Sequence, residues 1–239
     1  MNVDLKQEAQ AYGIPYEKRG RVLVWHDEFD APEINQEKWS FERSMTGSDR
    51  TYDNSEKCCR VEDGKLHMIA HYEEGDPTRP YRLSEALSTK GRMLFRYGYV
   101  EMRAKIPYRF GAWPSFWMQS VTPYSRADWF SEIDIYEIFS SPHTASSALH
   151  KWGRKKDGTP GFAHCSRAVG EYRFQDYKAL NDEYHVYGLA WDEQKLSFYV
   201  DDTLYATIFI DAARGNFGAD VVDGVEGFHD FHFLLMNNE

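Results

Sequence analysis

Three carboxylates crowd into an apolar, strand-forming run: Ser131-Glu132-Ile133-Asp134-Ile135-Tyr136-Glu137-Ile138-Phe139. Close carboxylates raise one another's pKa and desolvation adds to the rise, so one acid can stay protonated while another stays anionic. Cleavage of a glycosidic bond needs that division, with a carboxylate to attack the anomeric carbon and a carboxylic acid to protonate the leaving oxygen. Two Glu on one short strand favour the closer pairing of the retaining mechanism, about 5–5.5 Å, over the roughly 6.5–9.5 Å of the inverting one. For an isolated Glu-x-Asp-x-x-Glu the plain alternative is a solvated strand face or a cation site. Here Trp129, Phe130, Tyr136 and Phe139 flank the acids, and aromatic faces are what sugar rings stack on.

A strand must position these groups. Alternation sends Glu132 and Asp134 to one face and Ile133 and Ile135 to the other. Strict alternation would then put Glu137 on the apolar side. One extra residue, a β-bulge near Ile135 or Tyr136, returns it to the face of the other two acids. The rest of the chain reads as short strands and turns. Asp63-Gly64 is a turn, Val100, Met102, Ala104 and Ile106 alternate with Glu101, Arg103 and Lys105, and a hairpin over Tyr184–Trp191 and Lys195–Val200 turns at 192–194. Arg21–Trp25 opens the strand-rich part, 44–60 reads as a long loop, and 151–172 as an insertion without periodicity. This order indicates a β-sandwich rather than βαβ units.

The 239 residues fit one all-β domain over 21–239 preceded by a polar extension over 1–20. A net charge of −10 gives no field that attracts nucleic acid or an anionic membrane, and no stretch of about 18 apolar residues spans a bilayer. One basic run, Lys151, Arg154, Lys155 and Lys156, could meet a sulfate or carboxylate, although such runs are more often solvated loop. Cys58, Cys59 and Cys165 allow at most one bridge and read as mostly free. No spacing of metal ligands occurs.

Ser131 to Glu137 resembles the catalytic signature of glycoside hydrolase family 16, in the bulged form of its laminarinase-like and agarase-like members. The resemblance extends through Asp63-Gly64-Lys65-Leu66, Ser88-Thr89-Lys90-Gly91, Tyr97 to Lys105, Gly111-Ala112-Trp113-Pro114-Ser115-Phe116-Trp117-Met118, Tyr184 to Trp191 and Phe198-Tyr199-Val200-Asp201. It implies a jelly-roll, concanavalin A-like β-sandwich with an open concave cleft. It also implies a retaining endo-β-glycosidase with Glu132 as nucleophile, Glu137 as acid and then base, and Asp134 between them. Trp113 and Trp129 are the expected stacking platforms, Trp117 lines cleft or core, and His150 and Asn54 are polar contacts. The Gly111 to Met118 segment is more like laminarinase-type members, so a β-1,3- or mixed-linkage glucan comes first. A β-galactan of agar, porphyran or carrageenan type, or a mucin-type host glycan, is the second reading. A non-catalytic carbohydrate-binding protein and a transglycosylase on the same fold are the rivals. No cofactor is needed for catalysis. A structural calcium, its ligands unassigned, fits the opening segment around His26-Asp27-Glu28-Phe29-Asp30. Polysaccharide is the expected partner, a monomer the expected state, and an extracellular, periplasmic or cell-surface location follows from such a substrate, although Met1 to Glu8 carries no signal.

The chain departs from the family in Ser131, where relatives have Gly, and in the insertion after Trp152. It also ends at Glu239 soon after the Phe233 to Asn237 strand, where relatives add a last strand; Asn237 is expected near the cleft.

Overall fold

A computed structural model describes residues 20–43, 50–106, 109, 111–121, 130–139, 141, 143–154, 157, 159, 162–174, 182–211 and 226–238. The first strands are β1 (Ser40–Glu42), β2 (Thr51–Tyr52), β3 (Cys59–Glu62), β4 (Lys65–Met68), β5 (His71–Tyr72), β6 (Tyr81–Leu83), β7 (Ala86–Ser88) and β8 (Gly98–Ala104). There follow β9 (Pro114–Ser120), β10 (Phe130–Glu137), β11 (Thr144–Arg154), β12 (Phe162–Arg173), β13 (His185–Trp191), β14 (Lys195–Val200), β15 (Thr203–Phe209) and β16 (His232–Asn238). A 3-10 turn, Glu226–His229, precedes the last strand. The architecture is the expected jelly-roll β-sandwich. Its large sheet runs β1-β7-β16-β9-β10-β11-β12 and its small sheet β15-β14-β13-β8.

Alternation divides the large sheet cleanly. Its inner face gives Leu87, Phe116, Met118, Ile133, Ile135, Leu149, Leu234 and Met236 to the core, where they meet Tyr187, Leu189, Trp191, Phe198 and Val200 of the small sheet. The half-buried pattern of β8 holds, with Val100, Met102 and Ala104 packed on that core. The Asp63-Gly64 turn joins β3 to β4, and both residues take positive φ, 53° and 65°, a backbone that aspartate tolerates and glycine adopts freely.

The sheet is bent by two aligned irregularities. Between Asp134 and Glu137, β10 carries three steps where β11 and β9 each carry two, so the predicted bulge is present. In β12, Ala168 pairs with Ala148 but Gly170 with Ser147, which leaves Val169 as the extra residue. Val169 packs against the core.

Several sequence expectations are corrected. Residues 21–30 form no strand. They are held instead by Trp25 edge-on to Trp39 and Phe95 and by Lys38 Nζ, which donates to the His26 carbonyl at 2.7 Å. The 44–60 loop contains β2 and the start of β3, and residues 44–49 lie outside the described residues. The stretch after His150 is no rim insertion, because β11 and β12 pair continuously from Thr144↔Arg173 to Arg154↔Phe162 as a long hairpin of the large sheet. Lys151 therefore takes a core-facing position opposite Ser131 and is wholly buried, not solvated. Cys58 and Cys59 are free, as expected, and buried; the Cys165 side chain lies outside the described residues. No helix among the described residues is long and apolar enough to cross a membrane.

Candidate active site

The bulge sets the chemistry. Register places Glu132 opposite Gln119 and His150, Asp134 opposite Trp117 and Ala148, and Glu137 opposite Ser115 and Ser146. Directly opposed residues share a face, so all three acids stand on the outer, cleft side, and Ser131, Ile133 and Ile135 point inward.

Each acid has a specific neighbour. Trp152 Nε1 donates to Glu132 Oε2 at 3.1 Å, and Trp113 Nε1 donates to Glu137 Oε1 at 2.7 Å. His150 Nε2 lies 3.0 Å from Asp134 Oδ2, yet that oxygen is buried without an aligned hydrogen bond, so the contact is one of charge and proximity. One ligand atom each from Glu132, Asp134 and His150 falls within 4.8 Å of the others. The trio has the composition to hold a small cation as well as the crowding that proton chemistry uses.

Burial dominates the electrostatics. Loss of solvent, followed by repulsion from Asp134, pushes Glu132 up from 4.5 to about 8, against the pull of His150 and the Trp152 hydrogen bond. Asp134, only 2% exposed, is held well above the carboxylate range by desolvation and by the charge of Glu137, offset by its hydrogen bond with Glu132. Glu137 is also raised by desolvation, with the Trp113 indole and His150 opposing. The site therefore retains protons at a pH where exposed acids have lost theirs.

The other expected residues divide. Trp113 is 37% exposed and reaches Glu137, and its ring packs at 5.5 Å on Phe139. Trp117 shares the cleft face but is 9% exposed. It forms floor rather than platform, in a cluster with Ala86, Phe233 and Leu235, and its Nε1 donates to Asn237 Oδ1 at 2.7 Å. Asn237 thus sits in the cleft as expected. His150 joins the acids. Asn54 does not, since both ends of its amide bind Glu85, at 2.9 and 2.8 Å, and Arg43 Nε also reaches Glu85 at 3.3 Å. This brace stands just before β7, on the far side of the cleft floor. Trp129 lies outside the described residues.

One feature was missed in the sequence, and another is explained by the structure. Trp152 was legible from its place two residues after His150, hence on the same strand face. Ser131 is explained by its inward face. Its hydroxyl donates to the Gly227 carbonyl at 2.6 Å and lies 3.0 Å from His232 Nε2, tying the acid strand to the 3-10 turn. In the opening segment the Asp27 carboxylate is already engaged. Asp27 Oδ2 accepts from Trp39 Nε1 at 2.7 Å, Oδ1 accepts from Phe29 N at 3.0 Å, and Lys38 Nζ stands 3.9 Å away, so this carboxylate is a poor fit for a cation ligand.

Known proteins resemble this arrangement along most of the chain. Glucan endo-1,3-beta-glucosidase A1 of Niallia circulans is 28% identical over 257 residues, covering 97% of this chain and 36% of that protein. Glucan endo-1,3-beta-glucosidase of Cryptopygus antarcticus is 30% identical over 232 residues, covering 91% of this chain and 79% of that protein. A solved structure from work on endo-acting O-glycanases with which human gut microbiota initiate mucin breakdown superposes with a TM-score of 0.67 at 27% identity, covering 91% of this chain and 80% of that one. The profile of Glycosyl hydrolases family 16 matches residues 46–219, which include the whole acid strand and both of its neighbours β9 and β11. The chain belongs to glycosyl hydrolases family 16.

Proposed function

We propose that the protein is a retaining endo-β-glycanase that cleaves internal linkages of a β-1,3- or mixed-linkage glucan, without a cofactor. The observation that carries this reading is the bulged strand that sets Glu132, Asp134 and Glu137 on one cleft face, each indole-bonded Glu on either side of a buried Asp.

In the first step the Glu132 carboxylate attacks the anomeric carbon while the Glu137 carboxyl gives its proton to the departing glycosidic oxygen, so the C–O bond breaks as the glycosyl ester forms. Water then enters. Glu137, now a carboxylate, takes one proton from it as the oxygen attacks the anomeric carbon, and Glu132 leaves as a carboxylate. Asp134 is hydrogen-bonded to Glu132, so the pair can share one proton, and in the reactive form that proton stays on Asp134 as a hydrogen bond to Glu132, which is anionic for attack. His150 stands beside the pair, its Nε2 3.0 Å from Asp134 Oδ2. Trp113 fixes Glu137 and presents an exposed ring face at the cleft mouth.

The two glucan endo-1,3-beta-glucosidases support the glucan. The resemblance to mucin-acting O-glycanases supports the second reading, a mucin-type glycan. Polysaccharides of either kind are met outside the cytoplasm, so the protein works extracellularly, in a periplasm or at a cell surface. The test is product release from purified glucans, agar-type galactans and mucin-type glycans, resolved by chain length, with Glu132→Gln as control. Mid-length oligosaccharides from one polymer, absent with the variant, are expected. Oligosaccharide binding with no product from any polymer would replace the enzyme with a carbohydrate-binding protein.

A further inference from the structure

The cleft floor is unequal on the two sides of the acid strand. Toward β9 and β16 it is filled by Trp117, Phe233 and Leu235. Beyond His150 and Trp152, the positions of β11 and β12 that face the cleft beside Asp134 and Glu137 are small: Ser146 opposite Glu137, Ala148 opposite Asp134 and Ala168 opposite Ala148. Missing side-chain volume leaves an open pocket of about 370 Å³ lined by Glu137, Phe139, Ser146, Ala148, Ala168 and Glu171, among others. That volume is at the lower end for a small-ligand site, enough for a single ring.

The pocket's walls are built by the fold. The extra residue in β12 turns Val169 into the core, so Ala168 and Glu171 both face outward across a widened stretch of strand. Phe139 is 52% exposed and is backed by the Trp113 ring, whose indole nitrogen holds Glu137. A ring face, a carboxylate and the proton donor of the proposed reaction therefore border one space. Of the three acids, Glu137 alone lines it.

Resting on the endo-glycanase reading, we propose that this pocket seats the sugar on the leaving side of the scissile bond, stacked on Phe139 with its hydroxyls donating to Glu171, and that this sugar is neutral. The side follows from chemistry, because the acid that protonates the leaving oxygen must border the sugar that departs with it. The neutrality follows from the lining. Its polar side chains are the carboxyls of Glu137 and Glu171 and the hydroxyls of Ser146 and Ser147; these accept from sugar hydroxyls, and an ionised carboxyl repels a sulfate or carboxylate. Arg173, two residues beyond Glu171 on β12, is itself directed at it, with Nη2 3.7 Å from Oε2.

The experiment compares two substrates of the same chain. One is a β-1,3-glucan, or whichever polymer the wild type cleaves; the other is the β-fluoride of the matching disaccharide, whose leaving group is one atom and needs no sugar beyond the scissile bond. Ala168→Phe fills the pocket at an exposed strand position that accepts an aromatic residue, and Phe139→Ala removes the stacking face at another exposed position. Each is expected to lower the ratio of polymer to fluoride kcat/KM by roughly tenfold, the equivalent of about 1.4 kcal/mol. Glu171→Lys is expected to raise cleavage of a carboxymethylated glucan relative to the neutral one several-fold. Ratios that hold within a factor of two in all three variants would overturn the proposal while leaving the hydrolase intact. A wild type silent on both polymer and fluoride would overturn the hydrolase reading itself, and this one with it.

Discussion

The two faces of β10 are both largely withdrawn from solvent, but they meet burial by opposite means. Inward, Ile133 and Ile135 are 0% and 1% exposed and need only matching volume from Met118, Leu149 and the small sheet. Outward, Asp134 is 2% exposed and its two Glu neighbours are partly covered, and volume alone would leave them stranded. Indole N–H groups and a histidine stand there instead, two of them contributed by the adjacent strand β11. The difference teaches where the fold keeps its stability and where it keeps its reactivity. One face is settled by non-directional packing, the other by a few donors that oppose, without cancelling, the cost of desolvation.

The strongest way to break this contrast is to remove a proton from one face and a side chain from the other. Glu137→Gln keeps shape and the Trp113 contact but cannot deliver a proton, so polymer cleavage should fall by about 10²–10⁴ with the melting temperature nearly unmoved. A variant that unfolds instead would show the outer face to be structural. Ile133→Ala should do the reverse to the fold, costing about 2–5 kcal/mol in denaturant unfolding.

Stability against pH sharpens the same point. Glu132 has its folded pKa raised from 4.5 to about 8, so across that interval the native state binds more protons than the unfolded chain. Its contribution is full below about pH 4.5 and is lost as pH rises through about 8. Glu132→Gln removes that loss. Thermal melts should show the wild type falling more steeply than the variant from pH 5 to pH 9, by on the order of a few kcal/mol, and near agreement at pH 4. Parallel curves would mean that the outer face is not desolvated as drawn.

Alternation made much of this visible in the sequence. The apolar and acidic residues of β10 could be assigned to opposite faces, and the third acid demanded a bulge because it fell out of phase. The same rule, carried into β11, would have turned Lys151 inward and Trp152 outward. It was not carried there because Gly153, Arg154, Lys155 and Lys156 read as a loop, whereas pairing with β12 extends the strand to Arg154. Tertiary pairing overrode local composition. The opening residues failed in the opposite sense, since Arg21–Trp25 has strand composition but finds no partner strand among the described residues and is held by the Trp25, Trp39 and Phe95 rings. Asn54 shows the limit of position alone. Its place in the chain suggested a ligand contact, and only the structure reveals that Glu85 takes both ends of its amide.

The finest test concerns the donors rather than the acids. Trp113 Nε1 stabilises the charged form of Glu137 and so lowers its pKa against desolvation. Trp113→Phe keeps a ring against Phe139 but deletes the donor, so Glu137 should hold its proton to higher pH. As the general acid, Glu137 governs the alkaline limb of the profile of kcat/KM against pH, and that limb should move up, by roughly one unit or less, the scale of one hydrogen bond to a charged group. The acidic limb belongs to the Glu132 and Asp134 pair and should stay in place. Were the acidic limb to move instead, Trp113 would be acting on the pair, and the two indoles would not divide the outer face between the two Glu as the geometry has them do.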